Sequence, residues 1–79
     1  MDYTIYEIEY STEDLVAEIA IVSAENEKDA ESILEKSLKT IKKNMNFDPY
    51  NKKDLGFKSN KKGLINNSFD HSYHYKDPQ

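Results

Sequence analysis

Two segments among the first 22 positions of the chain have the composition of β-strands, and a polar run separates them. Residues 3–10 are rich in β-branched and aromatic side chains, which favour strands. Residues 11–14 are polar and predict a turn, and residues 15–22 predict a second strand. The start of the chain therefore predicts a β-hairpin.

The length of this turn predicts how the two strands pair. With four residues in the turn, Tyr10 lies opposite Leu15, and one face of the hairpin is almost wholly apolar. The other pairs on that face are Ile8 with Ala17, Tyr6 with Ile19, and Thr4 with Ile21. We expect this face to be the core side of the sheet.

Residues 26–43 predict a helix that packs on the apolar face of the hairpin. Asn26 is a favourable N-cap, acidic residues follow it, and lysines end the segment, which suits the helix dipole. Apolar residues at helical spacing form one stripe: Ala30, Ile33, Leu34, Leu38, Ile41 and Met45.

The rest of the chain is more polar. Residues 44–67 are rich in Asn and Lys and predict a connection, in which an Asp-Pro pair favours a short helix over residues 49–54. Residues 68–76 alternate between aromatic or histidine and polar side chains, which predicts a third strand.

These elements predict one α+β domain over residues 1–79 with the order β-β-α-β. The helical crossover brings the last strand beside the first one. We therefore expect a three-stranded antiparallel sheet in the order 2-1-3, with one main helix packed on one face.

Composition limits the setting of the protein. The chain has no cysteine, so it can form neither a disulfide nor a thiolate metal site. Its acidic N-terminus lacks the basic start and apolar run of a signal peptide, and no stretch approaches the roughly 18 apolar residues of a membrane span. We expect a cytoplasmic protein with no membrane partner.

Charge is divided between the two halves of the chain. Residues 1–35 carry a net charge of −10 and residues 36–79 carry +6, within a total of −4. Such asymmetry indicates either a charged partner or two halves that neutralise each other within the fold.

The hairpin face opposite the predicted core is the first candidate binding surface. Its residues combine an apolar cluster with two facing acids, Glu7 and Glu18, as at many protein interfaces. The candidate residues are Tyr3, Ile5, Glu7, Val16, Glu18, Ala20 and Val22. They predict a partner protein or a second copy of the chain, most simply a homodimer.

Two alternatives use the charged halves. The lysine-rich segment 36–62 contains aromatic residues and predicts nucleic-acid binding, although the chain has no arginine and is acidic overall. Its candidate residues are Lys39, Lys42, Lys43, Lys52, Lys53, Lys58, Lys61 and Lys62. The acidic first half predicts instead a DNA mimic that inhibits a nucleic-acid-binding protein.

No motif of catalysis, phosphate binding or cofactor binding occurs in the chain. His71 and His74 point to opposite faces of the predicted strand and cannot share a metal ion. We therefore predict a protein that is not an enzyme and uses neither metal nor cofactor.

The run from Leu15 to Leu34 resembles a widespread strand–cap–helix pattern of small α+β proteins, among them accessory proteins of phages and mobile elements. That pattern follows from helix capping and identifies no family. The sequence thus predicts a small non-catalytic binding or regulatory module that self-associates through the outer face of its sheet, and it is compatible with such an accessory protein.

Overall fold

In the part of the chain that the structure describes, four strands form one sheet, and one helix packs against one of its two faces. The computed structural model of the chain describes residues 2–12, 17–41, 43 and 46–68. Its elements, in chain order, are β1 (Tyr3–Ser11), β2 (Ala17–Ala24), α1 (Glu27–Ile41), β3 (Asp48–Ser59) and β4 (Gly63–Asn67). No helix among the described residues combines the length and apolarity needed to cross a membrane.

The sheet has the strand order β3-β1-β2-β4, and all neighbouring strands are antiparallel. The predicted α+β class, with one helix on an antiparallel sheet, is confirmed. The predicted three strands in the order 2-1-3 are wrong, because the sheet has four strands and the segment predicted as a polar connection supplies both of its edges. The strand predicted over 68–76 lies, after Ser68, outside the described residues.

β3 lies where a short helix was predicted over 49–54, and that helix prediction is wrong. Among the described strands it pairs only with β1, and its register shifts at two places. Pro49 lies near its start, and Gly56 adopts a φ of 82° within the second irregularity. An edge strand tolerates a proline near its start and a glycine at a bulge. These two residues therefore interrupt the regular pairing with β1 without ending the strand.

The register of β1 with β2 differs from the predicted one by three residues. Ile8 pairs with Ala20 and Tyr6 with Val22, and the last pair before the turn is Ser11 with Ala17. The connection is thus one residue longer than predicted, and an odd shift moves every side chain of a strand to the opposite face.

The core lies between α1 and the three strands nearest to it. Its buried residues come from both layers: Tyr6, Ile8, Tyr10, Ala20, Val22, Ala24, Ala30, Leu34 and Leu38. Small residues of β2 face the helix, so α1 approaches this strand closely. The sheet face that carries these residues is the helix-covered face.

The start of α1 is fixed by its cap. The side-chain oxygen Oδ1 of Asn26 accepts a hydrogen bond from the backbone N–H of Asp29 at 2.8 Å. In return, Oδ2 of Asp29 accepts the backbone N–H of Glu25 at 3.0 Å. These two bonds satisfy donors that a helix N-terminus leaves unpaired. The helix begins within one residue of the prediction and ends two residues earlier.

Candidate functional site

The sheet face opposite α1 carries the candidate site. We call it the open face and define it by Ile5, Glu7 and Glu9 of β1, Ile19 and Ile21 of β2, and Lys53 of β3. Strand alternation places these residues on the side away from the core, and no described helix packs over them.

Apolar side chains lie along the centre of the open face. Ile19 exposes 43% of its surface, although β2 is an interior strand of the sheet. Ile5 and Ile21 are half-buried. Further exposed apolar side chains lie on the two edge strands, Phe57 on β3 and Ile65 on β4. Ile5, Ile19 and Ile21 form the apolar part of the open face, and exposed apolar surface of this kind is common at interfaces.

The open face contains only part of the predicted binding surface. Ile5 and Glu7 belong to it, Tyr3 lies on the same side of β1, and all three are half-buried. Val16 lies outside the described residues. The remaining members of the predicted set come from β2, and their predicted placement is wrong.

Glu18, Ala20 and Val22 lie on the helix-covered face because of the odd shift in register, and all three are buried. Ala20 and Val22 contribute to the core. Glu18 is buried although it carries a carboxylate, which accepts a hydrogen bond from the hydroxyl of Ser68 at 2.7 Å. The sequence pattern of β2 did not by itself predict that this acid is buried.

Sequence reasoning missed Ile19 and Ile21 as residues of the open face. In the predicted register both face the core, and two isoleucines on the core side are the simpler interpretation of an alternating strand. The small size of Ala20 and Ala24 was the available signal, since small residues let a helix pack closely against a strand.

The two acids of the open face lie beside residues that are positively charged or uncharged. Glu7 lies between Ile21 on β2 and Lys53 on β3, so the predicted facing pair of Glu7 with Glu18 does not form. Glu9 accepts a hydrogen bond from Nδ2 of Asn51 at 2.6 Å. The face is therefore mixed, with apolar β2 beside acidic β1.

Several of the lysines predicted to bind nucleic acid form ion pairs or hydrogen bonds with other residues of the chain. The Nζ atom of Lys52 lies 2.6 Å from Glu31, that of Lys62 lies 3.2 Å from Asp29, and that of Lys39 lies 3.2 Å from Glu35. Lys58 donates a hydrogen bond to the hydroxyl of Thr4 at 2.9 Å. Lys43, Lys53 and Lys61 are exposed, and Lys42 lies outside the described residues.

The same contacts change the ionisation of the groups involved. Hydrogen bonds to Glu31 and Asp29 raise the pKa values of Lys52 and Lys62, respectively. The pKa of Asp29 is lowered, first by the backbone N–H of Glu25 and then by Lys62. Part of the charge division between the two halves is thus neutralised inside the fold, which leaves fewer acids and lysines for a charged partner.

The described residues contain no group of three or more His, Cys, Asp or Glu side chains arranged to hold a metal ion. A shallow depression of about 340 Å³ on α1 is lined by Lys36, Ser37, Thr40 and Ile41. It contains no carboxylate or imidazole for acid–base chemistry. His71 and His74 lie outside the described residues.

Comparison with known proteins gives no match to a protein-family model, to a curated protein or to a solved structure.

Proposed function

We propose that this chain is a non-catalytic protein-binding module that contacts a partner protein through its open face. The observation that carries the proposal is the exposure of Ile19 at the centre of a sheet whose other face holds the core. In an antiparallel sheet with one solvated face, the residues of that face are usually polar, so an exposed isoleucine there indicates a surface that a partner covers. Among the described residues, α1 covers one face of the sheet, and a partner would cover the other face.

The composition of the open face favours a protein over a nucleic acid. Glu7 and Glu9 repel phosphates, and Ile19 and Ile21 offer apolar area without a group that reads bases. Apolar residues with charged neighbours are the usual composition of a protein interface. The absence of cysteine suits a reducing compartment, and we propose the cytoplasm as the setting.

The proposal is tested by a charge placed at the centre of the face. Ile19→Lys replaces an exposed apolar side chain with a cation, while Ser32→Lys places the same cation on an exposed position of α1. Affinity capture from the source cells with the wild-type chain identifies the partner, and titration calorimetry with that purified partner gives the dissociation constants.

We expect the Ser32→Lys chain to bind like the wild type and the Ile19→Lys chain to bind at least about tenfold more weakly. Circular dichroism of each variant verifies that it is folded. Equal affinity of all three chains, or a wild-type chain that captures no protein, would contradict the proposal.

A further inference from the structure

The open face has two rows of side chains of different character, one on each of the two central strands. The register of β1 with β2 places Glu9 beside Ile19 and Glu7 beside Ile21. Side chains paired in this way have Cβ atoms about 5 Å apart. β2 therefore presents an apolar row, and β1 presents an acidic row directly beside it.

The fold leaves this acidic row without a cation. Among the described residues, Glu7 forms neither an ion pair nor a side-chain hydrogen bond, although Lys53 is its neighbour on β3. Glu9 accepts its hydrogen bond from Asn51, which is uncharged. The ion pairs formed between described residues instead use acids that lie on α1 or just before it. A cation from a partner would therefore neutralise charge that the described part of the chain does not.

The apolar row is as narrow as the contact surface of one helix. Ile19 and Ile21 lie on one strand, and Ile5 of β1 lies diagonally from Ile21. A second sheet packs through apolar residues on several adjacent strands, and here it would bury Glu7 and Glu9. An amphipathic helix packs through a single apolar stripe and keeps charged residues at its sides. The width of the apolar row thus favours a helix.

We propose that the partner protein docks a basic amphipathic helix along β2 on the open face. The apolar stripe of this helix packs on Ile19 and Ile21, and lysine or arginine residues beside the stripe lie over Glu7 and Glu9. The eight residues of β2 span roughly 27 Å, which about 18 helical residues match. This inference rests on the proposed function, because it names the kind of surface that the partner presents.

A second copy of the chain fits the open face less well than such a helix. It carries the same acidic row, so two open faces placed against each other gain no excess of cations. Its described helix, α1, already uses its apolar stripe in the core, where Leu34 and Leu38 are buried. Among its described residues, a second copy therefore has no free amphipathic helix to offer.

Designed peptides test the apolar part of this inference. The probe is a peptide of about 18 residues of Leu, Ala and Lys, with Leu in one helical stripe and Lys beside it, and a peptide of the same composition in scrambled order lacks the stripe. Fluorescence anisotropy of the labelled peptides gives the dissociation constants, and circular dichroism verifies that each protein variant is folded. We expect the patterned peptide to bind the wild type at least about tenfold more tightly than the scrambled peptide, and Ile19→Ser to weaken it at least about fivefold.

Two double variants test the charged part. Glu7→Gln with Glu9→Gln removes the acidic row, whereas Glu27→Gln with Glu35→Gln removes the same charge from α1. Both variants change the net charge of −4 equally, so a general attraction of the acidic chain for cations affects them alike. We expect the dissociation constant of the patterned peptide to rise at least about fivefold for the first variant and to stay within about twofold for the second.

Several results would overturn the inference. They are equal effects of the two double variants, equal binding of the two peptides, an Ile19→Ser chain that binds like the wild type, or no binding of the patterned peptide at about 1 mM. A wild-type dimer in sedimentation equilibrium that Ile19→Ser dissociates would also overturn it, because a second copy would then occupy the open face. If the captured partner loses affinity for Ile19→Lys but not for Glu7→Gln with Glu9→Gln, the basic helix is wrong while the proposed function stands.

Discussion

Neighbouring residues of β2 should respond in opposite ways to the same substitution. Ile19 and Ala20 are adjacent, yet Ile19 lies on the open face and Ala20 is fully buried in the core. Replacing each in turn with lysine therefore tests which face each residue occupies. The two variants carry the same charge on the same strand, so they serve as controls for each other.

The expected magnitudes differ by several kcal/mol. At Ala20, lysine overpacks the helix–sheet interface and buries an unpaired ammonium, and such changes cost about 4–5 kcal/mol or more. A chain of 79 residues has a total stability of only about 4–12 kcal/mol. At Ile19, the lysine stem covers part of the same apolar area and its head reaches water, so the cost is about 1 kcal/mol or less.

Far-UV circular dichroism and urea unfolding measure both effects. We expect Ala20→Lys to be unfolded or close to unfolding, and Ile19→Lys to unfold cooperatively at a urea concentration within about 1 M of the wild-type midpoint. A stable Ala20→Lys chain together with an unfolded Ile19→Lys chain would refute the register and restore the one expected from a four-residue turn.

Three further predictions concern the supports of the fold. Asn26→Ala removes the acceptor for the N–H of Asp29 and should cost about 0.5–2 kcal/mol in urea unfolding; no change would show that the cap contributes nothing. Ser23 is buried, and its hydroxyl has no hydrogen-bond partner among the described residues, so Ser23→Ala should raise stability by about 1 kcal/mol, whereas a loss would reveal a partner. Because the pKa of Asp29 is lowered in the fold, its contribution is present above its ordinary value of 3.8 and is lost as pH falls through the lowered pKa. The wild-type melting temperature should therefore fall more steeply than that of Asp29→Asn between about pH 5 and about pH 2, and parallel curves would contradict this role.

Local chemistry made the helix and the first strand predictable from the sequence. The cap residue Asn26 and the apolar stripe with Leu34 and Leu38 depend on neighbours within a few positions along the chain. β1 is dense in β-branched and aromatic residues, and its alternation correctly placed Tyr6 and Ile8 on the core side. These signals do not depend on the rest of the fold.

Strand pairing was less predictable because it depends on distant contacts. Both possible faces of β2 carry apolar residues, so pattern alone did not decide between Ile19 and Ala20 as the inward residue. One additional residue in the turn reversed the assignment. The helix decided it, since close packing of α1 favours alanine over isoleucine beneath it.

The two edge strands, β3 and β4, were the other part of the fold that the sequence did not predict. β3 and β4 carry lysines, asparagines, Pro49 and Gly56, which in sequence resemble a polar connection. An edge strand that is solvated along one side and protected from pairing has this composition. For the candidate site, β1 residues Ile5 and Glu7 were assigned correctly to the outer face, while the β2 residues depended on the pairing and were not.

Nuclear Overhauser contacts across the hairpin test the central claim most directly, because the identity of the open face depends on how β1 pairs with β2. Facing residues of an antiparallel pair bring their Cα atoms within about 4.5–5.5 Å, close enough for proton–proton contacts across the strands. We predict cross-strand contacts between Tyr6 and Val22 and between Ile8 and Ala20. Contacts of Tyr6 with Ile19 and of Ile8 with Ala17 would contradict the account, since they would turn Ile19 into the core and remove it from the proposed binding face.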